Sequence, residues 1–227
     1  MPVVIAGLIL SFLVMLLFGG TELDRGLLVM FAGGEAPRLD QAANLITAAA
    51  LPVPLLVMLL AGAGYLLIRS QWRAALLLLC VALLGRLLVD GIQALTEGAR
   101  PAVEERLLPR QQSGYPSGHA ANATITGIAL AFLLTRHYPV RALALGLAAA
   151  CALLVGVGRL VQGTAWPSDL IGGWALGLAW VLLVLRLARH DLGDGTARPL
   201  RHSVHQGEND GKPQDRDRPP DRRQRPD

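Results

Sequence analysis

Apolar residues run almost unbroken for a dozen or more positions at a time, and the arginines, acids and prolines gather in the short gaps between. Six such runs stand out, at 3–18, 45–68, 74–95, 117–134, 142–157 and 170–187. Most are close to the roughly 17 to 25 residues that a helix needs to cross a hydrocarbon layer of about 30 Å. The pattern predicts an all-α, polytopic membrane protein: a six-transmembrane-helix bundle over 1–190, followed by a tail. The first run is expected to stay as a helix rather than be cleaved as a leader. Residues 1–5 carry no positive segment, and no small-residue cleavage site follows.

Composition sharpens this reading. Of 227 residues, 52% are hydrophobic and only 17% charged, which excludes an ordinary soluble domain. The arginines suggest an orientation, because short cytoplasmic loops collect Lys and Arg. Arg69 and Arg73, Arg136 and Arg141, and Arg186 and Arg189 all fall on one side of a six-span arrangement. The opposite side begins with 21–40, where Glu22, Asp24, Glu35 and Asp40 outnumber Arg25 and Arg38. Both termini are therefore expected in the cytoplasm of a cell (inner) membrane, with 96–116 and 158–167 facing outward.

From Asp191 the chain loses apolar periodicity, and its eight acidic residues are matched by eight basic ones, the signature of a disordered cytoplasmic tail. His202 and His205 lie in that tail and read as solvated. Cys80 and Cys151 fall inside apolar runs and read as packing residues, not as a disulfide or metal pair. Small residues such as Ala120, Ala121 and Gly127, or Gly172, Gly173 and Gly177, suit close helix packing in lipid. Nothing points to nucleic acid, a nucleotide loop, a metal site or a cofactor. The partners expected are the bilayer and a phosphorylated membrane lipid.

The candidate chemistry sits in the two outward loops. Tyr115-Pro116-Ser117-Gly118-His119 opens the fourth run. Ser117 is a good N-cap, and the free amides behind it present the positive end of the helix dipole to an anion. His119 stands beside them as a proton donor suited to neutral pH. Chance alone would give P-S-G-H in a chain of this length roughly once in a thousand. Arg100-Pro101 leads toward this motif, and Gly158-Arg159 ends the fifth run before Trp166-Pro167-Ser168-Asp169 opens the sixth. Two arginines near a helix start suit a tetrahedral oxyanion; alone, each would read as an interfacial anchor.

With these residues in view, the stretch 74–187 resembles the type-2 phosphatidic acid phosphatase family, membrane lipid phosphatases related to vanadium haloperoxidases. That family carries K-x6-R-P, P-S-G-H and S-R-x5-H-x3-D on a six-helix core. The resemblance implies that Arg100, Ser117, the Gly118 amide and Arg159 hold phosphate, and that His119 protonates the leaving alcohol. Three positions depart from the pattern. The third motif's histidine, the family's nucleophile, falls on Ala165, which cannot attack phosphorus. Asp169, which would orient that histidine, then lacks the group it acts on. The first motif's lysine is Gln93, able to hydrogen-bond phosphate without charge, and the serine before Arg159 is Gly158. His137 lies in a gap on the far side and cannot substitute. Arg86 and Asp90, one helical turn apart, read as a buried ion pair, with a second reading in which Arg86 rises to supply the missing charge.

Three functions fit. The chain is a lipid-phosphate or polyprenyl-diphosphate phosphatase, with an unusual nucleophile or with an engineered alanine in place of its histidine. Alternatively it is a catalytically silent relative that binds lipid phosphate. The third reading is a transporter or assembly partner reusing the fold.

Overall fold

The computed structural model describes residues 2–32, 37–96, 114–135 and 138–193, and every element among them is a helix. In chain order these are α1 (Pro2–Phe18), α2 (Glu22–Ala32), α3 (Pro37–Ala48), α4 (Pro52–Ile68), α5 (Trp72–Thr96), α6 (Gly118–Leu134), α7 (Tyr138–Val161) and α8 (Pro167–Gly193). Helices α5, α7 and α8 are each long and apolar enough to cross a membrane. Two bent pairs reach that length only together: α1 with α2, bent by 91°, and α3 with α4, bent by 45°. Helix α6 is apolar but shorter, at 17 residues. Large apolar side chains such as Val57, Leu60, Leu87, Leu143 and Leu147 are exposed on the outside of the bundle, as lipid-facing positions are in a membrane protein.

Helix α6 lies at the centre, in contact with α4, α5, α7 and α8, while α1 runs along α8 and α3 along α7. Its position follows from small residues on the facing helices. A side chain added at Gly173 would come within 2.7 Å of the Ser117 carbonyl oxygen, and one at Gly177 within 2.8 Å of that of Ala121. Only glycine lets α8 approach α6 so closely. Around this seam Leu78, Val81, Val89, Ile125 and Val181 form a dry core. The indoles that border it have partners, Trp180 Nε1 donating to the Val81 carbonyl at 2.9 Å and Trp174 Nε1 to that of Ala152 at 3.0 Å.

Several expectations are corrected. The second apolar run, 45–68, is broken at 49–51, because Pro52 takes the first position of a new helix and biases Leu51 before it to extended geometry, at φ −67° and ψ 155°. The acidic stretch 21–40 contains α2 and the start of α3. Helix α7 is longer at both ends than its apolar run and includes Arg159. Helix α8 continues through Gly193, three residues past the end of the expected bundle at 190; residues 194–227, most of the expected tail, lie outside the described part. Arg86 and Asp90 do pair, Nε to Oδ2 at 3.5 Å, but their side chains are 43% and 51% exposed. The pair is on the bundle's flank, not buried. Both cysteines are free, and Cys151 is exposed on α7 instead of packed.

Candidate active site

The site is built where α7 ends. Gly163, at φ 64°, takes the left-handed conformation that stops the helix. The Gly163 amide donates to the Leu160 carbonyl and the Thr164 amide to that of Arg159, both at 3.0 Å, which is a complete Schellman motif. The Thr164 hydroxyl adds a second bond to the Arg159 carbonyl at 3.1 Å, and Arg159 Nη2 donates to the Thr164 carbonyl at 3.0 Å. One guanidinium edge is thus anchored to its own helix end. Arg159 Nε is buried with no hydrogen-bond partner among the described residues. A buried, unpaired guanidinium N–H is costly without a ligand.

Arg159 and His119 share a cavity of about 430 Å³ with Asn44, Thr47, Gln162 and Thr164, closed on one side by Ala48 and Leu51. Gln162 Nε2 donates to Asn44 Oδ1 at 2.7 Å and to Thr47 Oγ1 at 3.0 Å, joining α3 to the end of α7. Helix α3 can lie this close because residue 158 is glycine: an added Cβ would meet Thr47 Cγ2 at 2.9 Å and the Ala43 carbonyl at 3.3 Å. The departure at Gly158 therefore has a packing cause. Sequence reasoning did not find Asn44, Thr47, Gln162 or Thr164. Their only trace there was the pair Asn44 and Thr47, three residues apart on one helical face.

The P-S-G-H turn is held from behind. Tyr115 is buried, its ring 5.1 Å from that of Phe12 and its hydroxyl bonded to the Phe12 carbonyl. Thr96 Oγ1 donates to the Tyr115 carbonyl at 2.5 Å. Gln93 Nε2 donates to the Pro116 carbonyl at 2.7 Å, and Gly118 sits over the same amide. Gln93 is thus a brace beneath the turn and not part of the cavity wall. Ser117 occupies the N-cap position of α6, yet its side chain makes no capping bond, contrary to expectation, and its Oγ is buried with no hydrogen-bond partner. The amides of the first turn of α6 are left without that cap.

Ala165 and Asp169 stand apart from the cavity. Ala165 is 1% exposed and packs among Leu28, Ala120, Leu160, Trp166 and Leu170. Asp169 is fully buried, and its Oδ2 accepts the Trp166 amide at 3.3 Å, reaching back from the first turn of α8 to its N-cap. Its carbonyl accepts the Ser117 amide at 3.0 Å, tying the start of α8 to the start of α6. Asp24, read from the sequence only as one acid among several, is buried and accepts the Ser168 amide at 3.0 Å, the Ser168 hydroxyl at 2.7 Å and the Gly20 amide at 3.1 Å. Arg100 lies outside the described residues.

Comparison with known proteins bears on the fold and the family. A crystal structure of a transmembrane PAP2-type phosphatidylglycerolphosphate phosphatase from Bacillus subtilis is similar at a TM-score of 0.69 and 26% sequence identity, covering 82% of this chain and 96% of that one. The curated phosphatidylglycerophosphatase B of Bacillus subtilis is 31% identical over 139 residues, 58% of this chain, and the match spans 65% of that relative's length. Residues 73–191, which hold the core of the bundle, the His119 turn and Arg159, match the family model of the PAP2 superfamily, and the chain belongs to that superfamily.

Proposed function

We propose that the cavity between His119 and Arg159 binds the phosphate of a membrane lipid, of the class on which its phosphatidylglycerophosphatase relatives act, and that the covalent step of a phosphatase is blocked in this chain at Ala165. The observation that carries the binding reading is the Arg159 guanidinium, fixed along one edge and unpartnered at Nε, facing the cavity beside His119. An oxyanion there would receive charge-assisted bonds from Arg159 and, where it reaches past His119 to the start of α6, from the Ser117 hydroxyl and the amides of Gly118 and His119, which lie behind the cavity wall. His119 would give a proton to an alkoxide leaving the phosphorus. Arg100 would add the second guanidinium.

Hydrolysis needs a nucleophile as well, and a methyl side chain buried in the cluster that holds Leu28 and Ala120 supplies none. Binding without turnover is the consequence. The bundle would cross the membrane six times, counting each bent pair once, with both termini in the cytoplasm and the cavity on the outer face. Two measurements test this reading. Vanadate or lipid-phosphate binding by the full chain should be present and lost on Arg159→Ala, while phosphate release from phosphatidylglycerophosphate stays at background. Robust release that survives His119→Ala would mean that another site does the chemistry. An impermeant thiol reagent on a background without native cysteines should label Ala102→Cys and spare Thr135→Cys; the reverse would invert the topology.

A further inference from the structure

Four helix ends meet at the opposite end of the bundle from His119: the end of α4, the start of α5, the end of α6 and the start of α7. They enclose a second cavity of about 410 Å³, walled by Ser70, Gln71, Trp72, Arg73, Phe132 and Arg141, with Ala74 and Leu133 at its apolar side. Among the described residues two cations line it and no carboxylate does. Arg141 is preset: Nε and Nη2 donate to the Thr135 carbonyl at 2.9 and 2.5 Å, and Cζ lies 4.6 Å from the centre of the Phe132 ring. Arg73 lies over the Trp72 ring at 5.4 Å. A guanidinium has five N–H donors, so both retain donors for a ligand. Ser70 and Gln71 are held on the wall by the turn that ends α4, where the Ser70 amide donates to the Leu67 carbonyl and the Gln71 amide to that of Leu66, both at 2.8 Å.

The depth of this cavity indicates the kind of anion. Trp72 is 60% exposed and Tyr138 is 85% exposed at this end of the bundle. Such amphipathic rings sit at the level of lipid headgroups. Ile68, at the end of α4, and Leu76, one turn after Trp72 on α5, are exposed apolar side chains. Uncompensated arginines at headgroup depth, beside apolar surface, match a lipid that carries negative charge at its phosphate and acyl chains below it. We propose that this cavity binds the phosphodiester headgroup of an anionic phospholipid, as a site separate from the His119 cavity and on the opposite face.

The test is native mass spectrometry of the full chain, titrated with phosphatidylglycerol or phosphatidylcholine. An Arg159→Ala background keeps the His119 cavity from contributing. Phosphatidylglycerol should bind more tightly, by about fivefold for each arginine engaged. Arg73→Gln should remove about fivefold of that preference, and it leaves every bond of Arg141 in place, so folding is not at issue. Arg141→Lys keeps the charge but loses the fork and the ring contact, and should weaken binding by a smaller factor. Equal affinity for the two lipids, or a preference unmoved by both substitutions, would overturn the proposal. Displacement of phosphatidylglycerol by millimolar inorganic phosphate would assign the cavity to a soluble anion and overturn the lipid assignment.

Discussion

Helices α6 and α8 begin side by side, joined by the bond from the Ser117 amide to the Asp169 carbonyl, yet their N-termini are finished in opposite ways. At α8 the N-cap amide is taken by Asp169, the Ser168 amide and hydroxyl by Asp24, and the first helical position is Pro167, which has no amide to satisfy. Two carboxylates also complement the helix dipole. At α6 no acid stands in the first turn, and the Ser117 side chain makes no cap. The protein thus supplies the anions for α8 itself, and on the proposed reading α6 is left for one from outside. A helix start that reads as an anion site in sequence is available to ligand only where the fold has not already filled it.

The largest effect expected from this contrast is catalytic. Ala165 precedes the saturated helix start and lies in one buried cluster with Leu28 of α2. Ala165→His alone must fit a ring into that cluster, whereas Ala165→His with Leu28→Ala gives the ring more room. The double variant should release phosphate from phosphatidylglycerophosphate several powers of ten faster than the unmodified chain, and faster than Ala165→His alone. His119→Ala should abolish the gain.

Stability separates the two helix starts directly. Asp24→Ala leaves the buried Ser168 amide and hydroxyl without that acceptor and should lower unfolding stability in detergent by about 2 to 4 kcal/mol. Ser117→Ala removes a hydroxyl that bonds nothing among the described residues, so stability should change by less than about 0.5 kcal/mol. The same change should still weaken phosphate binding severalfold. A large stability loss at Ser117 would show that its hydroxyl is structural. Between these lies Gly158→Ser, which restores the family's residue but pushes α3 away from α7 at Thr47; overpacking of this kind costs about 1 to 3 kcal/mol.

What could be read from the sequence follows the same division. Helices α5, α7 and α8 were legible because long apolar runs have one stable form in a bilayer, and the cavity partners His119 and Arg159 were legible through their motifs. Helix α2 was not, since a mixed stretch gives no apolar run, and the break before Pro52 was hidden inside one. Arg86 and Asp90 were correctly paired by spacing, but spacing does not say which way a helix face points, and the pair lies on the flank. Asp24 could not have been placed at all, because its partner is 144 residues away and only tertiary packing brings Ser168 to it. Gln93 kept the position expected of it but is engaged by the Pro116 carbonyl.

The central claim is that Arg159 and the open start of α6 hold a phosphate, and calorimetric titration of the purified chain with vanadate tests it most directly. Arg159→Ala should weaken binding about 10- to 100-fold, the value of one charge-assisted interaction with an oxyanion, while Arg69→Ala, at the other end of the bundle, should leave it unchanged. Equal affinity in the unmodified chain and both variants would contradict the account.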